Sequence, residues 1–126
     1  MNAAREEERS VDIRERAFLF AVRVVKLCRY LEERPGVSRT LAKQLLRAGT
    51  SVGANLEEAQ GGQSKADFIS KNAIALKEAR ETAYWLRLLV TSEVVPEPRV
   101  TDLQNEVEEL KRIIAAIIVS SKKPHL

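Results

Sequence analysis

Arg39, Lys43 and Arg47 are the residues of this sequence whose type and spacing most directly suggest chemistry. Steps of four put them one turn apart on a single stripe of a helix, where they would either be solvated or meet successive phosphates of RNA or DNA. The stretch around them is basic throughout. From Phe20 to Thr50 the chain carries Arg23, Lys26, Arg29, Arg34, Arg39, Lys43 and Arg47 against only Glu32 and Glu33, and from Glu93 to Lys111 the balance reverses. Such asymmetry suits an anionic partner, and it equally suits one helix pairing with another. The net charge of +3 is modest.

Other chemistries find weaker footing. Lys77, Glu78, Arg80 and Glu81 sit at spacings for ion pairs across one helical turn, notably Lys77 with Glu81. Carboxylates in a helical protein can hold a dinuclear metal centre, but that needs Glu-x-x-His pairs, and the single His is His125 in the tail. Gln60-Gly61-Gly62-Gln63 before Ser64 and Lys65 could cradle an anion at a helix start. It follows no strand and lacks the Walker or dinucleotide spacing, so it reads as a helix-to-helix turn. No nucleophile, base and orienting group converge, which points to a protein that is not an enzyme and needs neither metal nor cofactor. The lone Cys28 cannot form an internal bridge and fits a small buried apolar position in a reducing compartment. A charged amino terminus and the lack of a bilayer-length apolar run point to a cytoplasmic protein that makes no membrane contact.

The elements that must position these residues are helical. In 126 residues, with 44% hydrophobic and 31% charged, five Gly and four Pro, the composition is that of a single all-α domain. The first ten residues read as a frayed lead-in, with Ser10 able to cap a helix over about 11–34. Its stripe is Ile13, Ala17, Phe20, Val24, Leu27 and Leu31, widened by Phe18, Val25 and Cys28, and Pro35-Gly36 ends it. A second helix over about 39–60, capped by Ser38 or Thr40, buries Leu41, Leu45, Ala48, Val52, Leu56 and Ala59. Gly49 and Gly53 inside it cost together roughly 1–2 kcal/mol against alanine, an expense explained by close approach of a neighbouring helix. Gln44, Ser51, Asn55 and Glu58 border its core, and Asn55 is expected to hydrogen-bond across to another helix and fix register.

Ser64 with Asp67 is a capping box opening a third helix over about 64–92. One of its faces holds Phe68, Asn72, Ala75, Ala79, Thr82, Leu86 and Leu89; others carry Ile69, Leu76, Ala83 and Val90, then Ile74, Tyr84, Trp85 and Leu88. Its second half is apolar nearly all round, and another copy of the chain is the simplest cover for the surplus. The last helix, over about 99–121, uses Val100, Leu103, Val107, Leu110, Ile114 and Ile117, with a polar basic tail behind it. Four amphipathic helices on short turns predict an antiparallel up-down-up-down four-helix bundle.

Ser51, Val52, Asn55, Leu56 and Glu58, followed by Ser64, Phe68, Ala75 and Glu81, closely resemble the signature of the bacterial four-helix bundle proteins encoded within intervening sequences of 23S ribosomal RNA genes. The resemblance runs from about Phe18 to Ile117. Ala59 stands where that family has a Gly, and Lys77 and Glu78 replace its usual Gly-Ser pair. The resemblance implies a small non-enzymatic protein assembled as a ring-shaped homo-oligomer, commonly a pentamer. It also implies kinship with the accessory variability protein of diversity-generating retroelements, a basic pentamer that works with nucleic acid.

Two function classes follow. In the first, an oligomeric bundle binds structured RNA or DNA through Arg39, Lys43 and Arg47 repeated around the assembly, with Ile74, Tyr84, Trp85 and Leu88 at the subunit interface. In the second, the protein is a structural or regulatory adaptor for other proteins, and the basic residues do nothing specific.

Overall fold

Among the described residues, alternating steps of three and four between apolar residues become four long helices with a 3₁₀ turn before the last. The computed structural model describes the backbone of residues 2–62 and 64–124 and the side chains from residue 12 onward. The elements are α1 (Asn2–Glu32), α2 (Val37–Gln60), α3 (Lys65–Thr91), a 3₁₀ turn (Glu97–Arg99) and α4 (Thr101–Lys122). No strand occurs among the described residues. Gln63 of the expected turn, and His125 and Leu126 of the tail, lie outside the described residues, as does the capping side chain of Ser10. The backbone at Ser10 is already helical, because α1 begins at Asn2. At the other end α4 continues through Ser120, Ser121 and Lys122.

Each helix packs on the next in sequence, and α4 packs back on α1. Arg14 reaches Glu57, Cys28 reaches the Ala42 carbonyl and Ser38 reaches the Leu31 carbonyl, so positions rise along α1 as they fall along α2. The core is one cluster drawn from all four helices, with Phe20, Leu45, Leu86 and Leu110 among its fully buried side chains. Every residue of the α1 and α4 stripes is buried, down to Ile13 and Ile117. Among the described residues, no helix is long and apolar enough to cross a membrane.

Several local expectations are corrected. Neither Ser38 nor Thr40 caps α2. The cap position is Gly36, whose φ of 89° a side chain would strain, and it brings no side-chain hydrogen bond. Ser38 is instead buried against α1, and its Oγ donates to the Leu31 carbonyl at 2.6 Å, satisfying a helix-end acceptor. Ser64 does cap α3, its side chain accepting from the Asp67 backbone N–H at 3.0 Å. Phe18 does not widen the α1 core face. It stands two positions before Phe20, roughly 200° round the helix, and points outward.

Candidate functional site

The basic stripe of α2 divides into three different environments. Arg39 is exposed, and its Nε donates to the Glu32 carbonyl at 2.8 Å, closing the end of α1. Lys43 is exposed and meets no carboxylate among the described residues. Arg47 crosses to α3, with Nη1 3.1 Å from Glu78 Oε2, and also pairs with Glu81. Glu81 therefore serves Arg47 rather than Lys77, since the two lie across the α2–α3 seam and the carboxylate turns toward it. The Trp85 ring N–H reaches the same Glu81 carboxylate at 3.4 Å.

Other seams are stitched the same way. Arg14 pairs with Glu57 between α1 and α2, and Lys71 with Glu58 between α2 and α3. Arg16 grips Glu106 of α4 with two parallel bonds, at 3.1 and 2.8 Å. The hydrogen bonds to Glu106 raise the Arg16 pKa further, outweighing the opposing effect of burial. Lys111 and Arg112 pair within α4, with Glu108 and Glu109.

Against this pairing, α1 carries cations that meet no carboxylate. Arg23, Lys26 and Arg29 wind round its exposed side and, among the described residues, form no ion pair; nor does Arg99 at the end of the 3₁₀ turn. Arg99 lies over the Tyr30 ring, its guanidinium carbon 3.9 Å from the centroid, and Arg34 approaches the same ring at 5.6 Å. Arg23, Lys26, Tyr30 and Arg99 line a groove of about 310 Å³ between α1 and the start of α4, with Asp102 at its side. Sequence reading missed this cluster, because Arg99 is remote from Tyr30 along the chain and only the packing of α4 on α1 unites them. A second groove, between α3 and α4, is lined by Arg80, Tyr84, Arg87 and Lys111 among others.

Residues 9–116 match the model of the family described as 23S rRNA-intervening sequence protein. The chain belongs to this family. It is also similar to a crystal structure of a protein of unknown function from the S23 ribosomal protein family of Bacteroides thetaiotaomicron. The two are 41% identical over 88% of this chain and 98% of the other, with a TM-score of 0.81. No curated protein matches the chain.

The residues that carry the family likeness are placed along the α2–α3 seam and its turn. Ser51 Oγ donates to the Arg47 carbonyl at 2.6 Å, and Asn55 Nδ2 to the Ser51 carbonyl at 2.8 Å. Asn55 thus bonds back within α2 rather than across the core as expected, a short side chain finding the carbonyl one turn earlier before it can span to a neighbour. The buried Asn72 behaves alike toward Phe68. Glu58 faces Lys71, Ser64 caps α3, and Phe68 is half-buried against the core.

Gly49 and Gly53 both face α1, across from Val24 and Ala17. Ile74 and Tyr84 are exposed, while Trp85 and Leu88 are half-buried; Tyr84 and Trp85 contact edge to face at 5.1 Å. Among the described residues, no three His, Cys, Asp or Glu side chains cluster as metal ligands would. Cys28 is buried, with Sγ 3.4 Å from the Ala42 carbonyl.

Proposed function

We propose that the chain is a non-enzymatic, cytoplasmic four-helix bundle, antiparallel and up-down-up-down within each copy. In this reading it assembles as a ring-shaped homo-oligomer and binds structured RNA or DNA through basic surfaces. The observation that carries the nucleic-acid reading is that Arg23, Lys26 and Arg29 on α1 and Lys43 on α2 are exposed cations without a carboxylate within ion-pair distance among the described residues. Arg39 is exposed as well, tethered only to a carbonyl. Arg47 contributes less than its place on the stripe suggests, since Glu78 and Glu81 neutralise it. A ring repeats these cations in every copy, multiplying a modest charge into a field able to hold a polyanion. A binding role rather than a catalytic one is supported by how the carboxylates are spent: Glu57, Glu58, Glu78, Glu81 and Glu106 join helices.

The antiparallel arrangement is supported by the opposed numbering of the α1–α2 contacts, and self-association by apolar side chains left in the open. Phe18 and Leu19 on α1 and Ile74 and Tyr84 on α3 are two such places. Those same surfaces support the second reading, an adaptor that binds other proteins and no nucleic acid. Binding of a structured RNA followed across a salt series separates the two. Nucleic-acid binding predicts an affinity that falls linearly in log–log form with a slope of about −0.7 to −0.9 per phosphate contacted. An affinity insensitive to salt, or no binding at low salt, leaves the adaptor.

A further inference from the structure

We infer that the groove between α1 and the start of α4 is a binding site for a phosphate group, held by Arg23, Lys26 and Arg99. The inference rests on the nucleic-acid reading only for the source of the phosphate. Arg23 and Lys26 are one turn apart on α1, and Tyr30 follows one turn after Lys26. The topology then brings in Arg99 from the 3₁₀ turn, stacked on the Tyr30 ring at 3.9 Å. That stacking is the informative feature. An arginine in a carboxylate ion pair has its donor fork occupied, whereas one lying on a ring is fixed in orientation with the N–H groups around its edge still available. Arg34 supports the ring from the turn after α1, its Nη2 donating to the Tyr30 hydroxyl at 3.4 Å.

The contrast with the rest of the molecule sharpens the point. Arg14, Arg16, Arg47 and Lys71 each meet a carboxylate on another helix. Three cations line the groove against one carboxylate, Asp102, and none of the three is within ion-pair distance of it. Concave walls that include Leu27 and Leu103 concentrate the field of such unpaired charges. The positive end of α4, whose cap residue Val100 supplies no side-chain hydrogen bond, lies beside them and adds to it.

Phosphate could reach the groove as part of a nucleic-acid backbone or as a small phosphorylated molecule, and the test separates these. Full-length protein is titrated with inorganic phosphate, followed by NMR of the arginine Nε–H signals, and with a labelled RNA hairpin, followed by anisotropy. Both series are repeated on Arg23→Gln, Arg99→Gln, Arg99→Lys, Tyr30→Phe and Lys43→Gln, each checked for helical circular dichroism. Arg23→Gln and Arg99→Gln should each weaken both ligands about tenfold, the worth of a charged hydrogen bond. Arg99→Lys keeps the charge but loses the planar fork and should recover only part of this, and Tyr30→Phe, which keeps the ring, should bind as the parent does.

Phosphate binding that Arg23→Gln and Arg99→Gln weaken, with no RNA binding, supports the groove and removes the nucleic-acid reading, whereas phosphate binding that both substitutions leave unchanged overturns the groove. RNA binding that Arg23→Gln and Arg99→Gln weaken supports the groove with a backbone phosphate as its ligand, even if phosphate alone shifts no signal. RNA binding that survives both substitutions but falls with Lys43→Gln overturns the groove and keeps the nucleic-acid reading. Silence from both ligands overturns both.

Discussion

A methyl group added at Gly49 would lie 2.9 Å from Val24 Cγ1, closer than carbon atoms pack, whereas one added at Gly53 would meet Ala17 Cβ at 3.5 Å, an ordinary contact. Val24 is a stiff, fully buried side chain with little room to retreat. Gly49→Ala should therefore lose about 1 kcal/mol net, overpacking outweighing the gain in helix propensity, while Gly53→Ala should gain about 0.5–1 kcal/mol. Urea midpoints of the two variants check this, and equal shifts would sink it. The four-residue spacing made the shared face of the two glycines legible, but not which of them sits against a branched side chain. Cys28 gives a second residue-level expectation. Burial, with the charge of Glu32 behind it, pushes its thiol up to about 11. The folded value is raised above the unfolded one of about 8.5. The stabilising contribution is thus complete below about pH 8.5 and lost as pH rises toward 11. Parallel urea titrations of the parent and Cys28→Ala across that window should show the parent declining more steeply; parallel slopes would contradict the buried, protonated thiol.

Stripes of three and four were readable because every turn of a helix repeats the same constraint, and the α1 and α4 stripes came out residue for residue, although Phe18, expected to widen the α1 face, points outward. The Ser64 cap of α3 was readable too, but the cap of α2 and the polar border of its core were not, because a hydroxyl or amide has several acceptors within reach, in its own helix and in the next. Ser38 is the clearest case, placed like a cap yet used to satisfy the Leu31 carbonyl at the end of α1. Ser38→Ala would leave that buried acceptor one bond short and should cost about 1–2 kcal/mol, whereas Thr40→Ala, at an exposed hydroxyl 3.4 Å from the Gly36 carbonyl, should cost almost nothing. Denaturation of the two variants decides it, and comparable losses would return Ser38 to an ordinary capping role. The basic stripe shows the same limit. Its three charges were visible in order, but Arg47's diversion to Glu78 and Glu81 depends on α3, and the Tyr30–Arg99 stack depends on α4.

At the scale of the whole molecule, two apolar surfaces lie on different helices, and a ring requires just such a pair. A closed ring is built from one heterologous contact, in which one patch of each copy meets a different patch of the next. Phe18 and Leu19 on α1 are 61% and 52% exposed, and Tyr84 on α3 is 57% exposed, so neither patch is covered by the chain that carries it. Trp85, half-buried and bonded to Glu81, supports its patch more than it presents it. Phe18→Glu and Tyr84→Glu should therefore each abolish the proposed ring while leaving the helical signal intact, because both side chains stand outside the core. Light scattering should move from a multiple of the 14.2 kDa chain, about fivefold in a pentamer, to a single chain. Mixing the two variants is the sharper test. The intact α3 patch of the Phe18→Glu chain can meet the intact α1 patch of the Tyr84→Glu chain once, and no further contact can propagate, so the mixture should stop at two chains. A self-complementary dimer interface would not yield that mass only on mixing, and if either variant alone keeps the parent's mass, its patch takes no part in the assembly.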